Sequence, residues 1–548
     1  MIRFYRWSFG ALLALTCVSC IDDNYDLSDI NTDMRFQVND LTIPVNIDQI
    51  EMRSILDLKE DGTVKEVNGE YAILENGDFT SGEINIPQFT IASPYIEPYS
   101  ETLQVSSGSY PISTPAIPFV ARGNDISDCI ITFDSGRTDT RFTLSLTADN
   151  ASGLELIDGV FQLPPSLEAT CSQGKYDPQT GLLTLNHTVA LTQPIVVNVT
   201  RVNRESGVDF NAGDHSASFS GSIALKSGQL RVESQANSIT LRANFTLDDL
   251  PVKSLSGILH YDIEDVNISD VELNNLPDIL TDEQTEITLR NPQIFFSIFN
   301  PLQRYKVYAT SGMTIGAYRS EILSGEFSPE PNSFSTTTDH ADGIYNFCMA
   351  PKAGIYDGYT NPIFVPFPTL GGILAGQGLP DRLKIALDSP CFPAQHVTDF
   401  PLGIDAGMAS GHYTFFVPLA FGAGSRVVYT DHIDGWGSDD LNYLVITKLD
   451  VKATVSTNIP IALNFTGYPI DKYGNQISNV QIEGATLPAN ADNYELHLRI
   501  SGEVRDLDGI RFTAVATADG QDEALKPGMT IKLTDIRPTA SGYYEKEF

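Results

Sequence analysis

Basic residues are scarce in this chain. Its 548 residues hold 34 Lys and Arg against 70 Asp and Glu, a formal net charge of −36. Nucleic-acid binders neutralise phosphates with Lys and Arg, so the balance argues against that function. A polybasic membrane-surface module is disfavoured for the same reason. Catalytic signatures are missing too: there is no GxGxxG, no GxxxxGK[ST], no HExxH and no GxSxG. The eight histidines are scattered, and no two stand at the i, i+4 spacing of a helical metal site. Beyond the amino terminus the apolar stretches, such as Phe415 to Gly424, are short and broken by Pro and Gly, so none reads as a membrane-spanning helix. Helical periodicity is nearly absent; the best candidate runs from Leu276 to Gln284 with Asp278 as its cap. What the chain does have is apolar content. At 42% hydrophobic and 19% charged it can fill real cores, which excludes wholesale disorder.

The amino terminus reads as an address. Arg3 and Arg6 precede an apolar segment from Trp7 to Val18, too short to span a bilayer and of signal-peptide length. It closes on Cys17-Val18-Ser19-Cys20. This resembles a bacterial lipobox, in which small residues precede a cysteine that is lipidated and becomes the new first residue. Ser19 and Val18 fit that pattern; Cys17 departs from the usual Leu. The acidic run that follows, Ile21 to Asp33, resembles the tether of Bacteroidota-type surface lipoproteins. The resemblance covers about the first 35 residues. It implies lipidation at Cys20, anchoring in the outer membrane by acyl chains, and exposure at the cell surface. Loss of Arg3 and Arg6 with the signal leaves 70 acids against 32 bases, or −38.

Cys129, Cys171, Cys348 and Cys391 then remain, an even number in an exported chain, consistent with disulfides. Three connectivities are open. The sequence-local one joins Cys129 to Cys171 and Cys348 to Cys391, each closure stabilising by about 3–4 kcal/mol. Four buried free thiols are the alternative.

Alternation of period two dominates the rest. Phe142, Leu144, Leu146 and Ala148 show it, as do Ile239, Leu241, Ala243, Phe245 and Leu247. Leu259, Tyr261 and Ile263 alternate with His260 and Asp262 on the opposite face. Asn68-Gly69, Asn76-Gly77 and Ser227-Gly228 read as turns, and the step from Ile446 to Leu449 as a bulge. The predicted class is all-β: several antiparallel sandwich-like domains in series, with a loop-rich insertion around 325–410. The predicted units are a signal at 1–19, a tether at 20–35, and β domains at 36–125, 126–270, 271–405 and 406–548.

Three segments are candidates for function. The first is Asp431, His432, Asp434, Trp436, Asp439 and Asp440, a dense set of carboxylates with one imidazole and the one tryptophan left after signal removal. Oxygen ligands at that density suit calcium, and Trp436 suits stacking on a sugar; a surface turn is the plainer reading. The second is Tyr356, Tyr359, Phe364 and Phe367, in a Gly- and Pro-rich stretch, read either as a recognition surface or as a plug on a sheet. The third is the strand bracketed by Asn291-Pro292 and Asn300-Pro301. It resembles sheets of late-embryogenesis-type and lipid-handling β domains, which implies a hydrophobe-binding groove. Seventy acids leave a glycosidase-type carboxylate pair open but single out none. The chain reads as a non-enzymatic surface lipoprotein with a binding or structural role. The alternatives are glycan capture beside a nutrient transporter and lipid binding in the envelope. No cofactor beyond calcium is expected, and the expected partners are the outer membrane and a glycan, a lipid or a membrane protein.

Overall fold

The computed structural model describes residues 34–42, 49–123, 126–149, 153–233, 237–435, 444–478, 480–518, 520 and 523–546. The signal, Cys20 and most of the tether lie outside the described residues. Nearly every described element is a strand, because apolar residues alternate with Ser, Thr and charge over runs too short for helices. The expected helix is a single turn, Asp278–Thr281, entered through Pro277. No described helix is long and apolar enough to cross a membrane.

The all-β class is what the structure shows, in several sheets and, among the described residues, no closed barrel. The largest network joins nineteen strands lying between Tyr99 and Pro401. Its core holds Phe142, Phe161, Phe219 and Phe245, all essentially inaccessible. A seven-stranded sheet sets Glu70–Ile86, Ile404–Pro418, Gln293–Phe299 and Ile344–Ala350 side by side. Two six-stranded sheets then face each other. The front sheet runs Met34–Thr42, Thr530–Lys546, Leu444–Thr457, Tyr494–Val504 and Gln481–Glu483, with Gln49–Glu51 also on Thr530–Lys546. The back sheet centres on Arg426–Ile433, Gly509–Thr517 and Ala462–Ile470.

The sheets gather strands that are distant in sequence. Segment 36–125 is shared among four of them: Met34–Thr42 enters the front sheet, Glu70–Ile86 the seven-stranded one, Tyr99–Gln104 the largest network, and Phe89–Ile91 a two-stranded sheet with Leu250–Val252. Within the region predicted as loop-rich, 351–362 holds no regular element, but Ile344–Ala350 and Ile363–Pro366 are paired strands and Pro368–Gly372 is a 3-10 turn. From Arg382 the chain forms two long strands, Arg382–Pro401 and Ile404–Pro418. Pro390 and Pro393 sit where the ladder shifts register, the place a residue without an N–H is tolerated.

Turn readings divide on what glycine is for. Asn68 and Gly69, at φ +53° and +80°, make a two-residue hairpin joining Val67 to Glu70. Gly77 is no turn; it lies inside Glu70–Ile86, and a Cβ there would come within 2.4 Å of the Tyr413 hydroxyl. Its hydrogen lets that ring cross the sheet. Gly228 likewise lies within Ser216–Val232, where a Cβ would meet Leu156 at 2.8 Å. The bulge read between Ile446 and Leu449 is present, as a register shift between Ile446 and Lys448 against both neighbouring strands.

On the front sheet's outer side, Asp450 gathers two cations and an imidazole. Its carboxylate accepts from Arg499 Nε at 3.0 Å and His497 Nε2 at 3.1 Å, and pairs with Lys448 Nζ. Burial pushes the Asp450 carboxyl up, but the Lys448, Arg499 and His497 hydrogen bonds outweigh it and bring it down to about 2. A depressed folded pKa stabilises fully above the unfolded value and is lost as pH falls through the folded one. The contribution is about 1–2 kcal/mol. Asp450→Asn is therefore expected to lower stability by that amount near neutrality. Urea melts should show the gap to the native chain closing between pH 4 and pH 2; a gap independent of pH would contradict the assignment.

Candidate binding cleft

Two facing sheets can be filled only by the side chains pointing between them. In the carboxyl-terminal pair several of those side chains are small. Ala453 from the front sheet lines the larger of two spaces between the sheets, and Ala514 and Ala516 from the back sheet line the smaller one beside it. Larger residues around them hold the sheets apart: Phe465 and Phe512 from the back, Ile531 and Leu533 from the front. An apolar space of about 170 Å³ remains, lined in part by Val451, Leu496, Leu498, Leu533 and Ile536. A second space of about 90 Å³ adjoins it, sharing Ile50, Phe465, Phe512 and Ile531 and continuing past Met52 and Leu525. The walls are almost wholly apolar and carry no Asp, Glu, His or Cys.

The inward residues are incompletely covered. Val451, Leu496, Leu498, Phe512, Leu533 and Ile536 are only half-buried, whereas Phe142, Leu144, Phe161, Phe219 and Phe245 of the largest network are sealed. Apolar cavities near 150 Å³ stay dry and accept a benzene-sized guest. The cleft is thus built to take hydrocarbon and offers nothing to hydrogen-bond.

Tyr429 connects the cleft to the acidic segment. Its ring lines the smaller space, 6.5 Å from Phe512, while its hydroxyl donates to Asp431 Oδ2 at 2.9 Å. Burial, then the Asp431 carboxylate, push the Tyr429 phenol up to about 12, so it stays a donor. Asp431 also accepts the backbone N–H of His432 at 2.8 Å. The His432 ring lies 3.8 Å from Asp431 and 3.5 Å from Asp434. These groups are exposed, and their carboxylates straddle the imidazole rather than converging on one point. Trp436, Asp439 and Asp440 lie outside the described residues.

The aromatic stretch folds back as a plug. Tyr359 and Phe367 are buried. Tyr359 stacks 5.3 Å from Phe295 and shares a 2.9 Å hydrogen bond with Thr414, which donates to Asn76 at 2.7 Å. Tyr356 lies 5.2 Å from Phe416; Phe364 alone stays exposed. The Asn-Pro strand, Gln293–Phe299, is the interior of its sheet, with Ile294 and Phe296 in the main core and Phe295 under the plug. Along Gln293–Phe296 both faces are covered; only at its end do Ile298, Phe299 and Asn300 border a small, mostly apolar space of about 50 Å³. Asn300 instead fixes the following turn, donating to Val307 O at 2.8 Å and accepting from Leu302 N at 2.9 Å.

The four described cysteines are free thiols, so neither local pair is joined. Cys348 lies in the seven-stranded sheet and Cys391 in the large network, on separate sheets. Cys129 and Cys348 are buried, which pushes both thiols up.

The acidic segment stands out in the sequence because its residues are contiguous, whereas the cleft has no such local signal. The cleft draws on seven strands spread from Gln49 to Lys546, and each alone shows ordinary alternation. The usable signal is alanine at inward positions on facing strands.

No family model matches the chain, and no curated protein matches it. Among solved structures, a Parabacteroides distasonis protein assigned as secreted aligns over 92% of this chain and 99% of its own, at 12% identity and a TM-score of 0.44.

Filling the space with a larger side chain should stabilise the protein. Ala453→Leu is expected to raise ligand-free stability by about 0.5–2 kcal/mol. Thermal melts check this; a loss of about 1–3 kcal/mol, as overpacking produces, would contradict it.

Proposed function

We propose that the mature chain is an outer-membrane lipoprotein displayed at the cell surface, and that it binds a hydrophobic ligand, a single alkyl chain, between its two carboxyl-terminal sheets. The observation that carries the reading is the apolar, half-open cleft. A sugar placed there would leave its hydroxyls unpaired, at a cost of about 1–3 kcal/mol each. The reading is non-enzymatic, since the walls present no carboxylate, imidazole or thiol to a bound molecule.

The anchor comes from the sequence: Arg3, Arg6, the short apolar segment and Cys20, followed by the acidic tether. A triacylated cysteine exceeds the two lipid signals that stable anchoring needs. From Cys20 to Met34 the chain reaches at most about 50 Å. Met34–Thr42 is an edge strand of the front sheet, so the tether leads directly to the sandwich that holds the cleft.

Two measurements test the two parts. Solvent extraction and mass spectrometry of purified protein should release about one non-covalent single-chain lipid per molecule, and Ala453→Leu should release little. The covalent anchor stays with the protein. Absence of lipid, or equal amounts in the variant, would sink the ligand reading. Protease treatment of intact cells should degrade the native protein. Cys20→Ala should move it from the membrane to the soluble fraction, and a variant that stays membrane-bound would overturn the anchor.

A further inference from the structure

We infer that His260, Asp262 and Cys391 form a zinc site on the large sheet network. Ser254–Asp262 and Arg382–Pro401 are antiparallel neighbours, and Asp262 pairs directly with Cys391. Paired residues put their side chains on one face, and His260, two positions before Asp262, shares it. One nitrogen, one oxygen and one sulfur therefore meet: the three ligand atoms lie within 4.8 Å of one another. His260 Nε2 is already 3.1 Å from Asp262 Oδ1.

A tetrahedral zinc bound at about 2.0–2.3 Å needs ligand atoms roughly 3.3–3.8 Å apart. The His–Asp edge is close to that, and the remaining approach is a side-chain adjustment. His260 and Cys391 are half-buried and Asp262 is exposed, so each has room to make it. The backbone beneath is fixed. The His260 N–H donates to Cys129 O at 2.8 Å, and Tyr261 and Phe392 pack on the other face at 6.3 Å. Thr310, across the next strand, places its hydroxyl 3.4 Å from the Cys391 sulfur.

The donor set selects the ion. Calcium and magnesium prefer all-oxygen shells, whereas imidazole, thiolate and carboxylate together suit zinc. Binding takes the proton from the Cys391 thiol, and the two anionic ligands then balance the 2+ charge. Three protein ligands leave one outward position for water or an exogenous ligand.

Cobalt(II), a spectroscopic stand-in for zinc, provides the test. Tag-free full-length protein should bind one equivalent and show a thiolate-to-cobalt charge-transfer band, which zinc abolishes on displacement. Cys391→Ser should lose the band and His260→Gln should weaken binding by more than about tenfold. Both should melt as the native protein does without metal. Cys171→Ser should keep the band. A native protein with no band, or a band that survives Cys391→Ser, would overturn the site.

Discussion

The spacing between two packed β-sheets is the constraint on which this molecule turns. Face-to-face sheets sit about 10 Å apart, and the bulkiest side chains between them set the gap. Where inward positions alternate large against small, the space closes, as it does around Phe142, Phe161 and Phe219 in the large network. In the carboxyl-terminal sandwich, Phe465 and Phe512 set the gap while Ala453, Ala514 and Ala516 leave it unfilled. The cleft, its half-exposed lining and its lack of polar groups all follow from that mismatch.

A sandwich whose core is incompletely filled needs support from its ladders and its outer surface. Part of the compensation lies in the ladders. The long strand Thr530–Lys546 is zipped to Leu444–Thr457 on one side and to Met34–Thr42 and Gln49–Glu51 on the other. The ends of the described chain are thereby locked together. Another part lies on the outer surface, where Asp450 gathers Lys448, His497 and Arg499 and Arg499 reaches Glu483 at 3.1 Å. Ion pairing outside and unfilled space inside occupy opposite faces of the same strand, at Asp450 and Val451.

The fold class was legible because strand periodicity is local. The hairpin at Asn68-Gly69 and the bulge after Ile446 were legible for the same reason. Asn76-Gly77 misled, because the pair that makes a turn also makes room for a ring, and only the position of Tyr413 tells which. The sites were hidden by sequence distance. Asp262 meets Cys391 through strand register, and the cleft is a relation among alanines on different sheets. The acidic segment drew notice because its residues are contiguous. Yet its described carboxylates are spent on Tyr429, a backbone N–H and His432. The cysteine count was silent on pairing, since Cys348 and Cys391 lie on different sheets.

The central claim is that the gap between the two carboxyl-terminal sheets receives an alkyl chain. Methyl-labelled NMR during titration with a soluble fatty acid reads this directly. The account predicts saturable shifts at Leu496, Leu498, Ile531 and Leu533, with Leu156 and Leu183 of the large network unmoved. Unchanged cleft methyls, or shifts spread evenly through both cores, would contradict it.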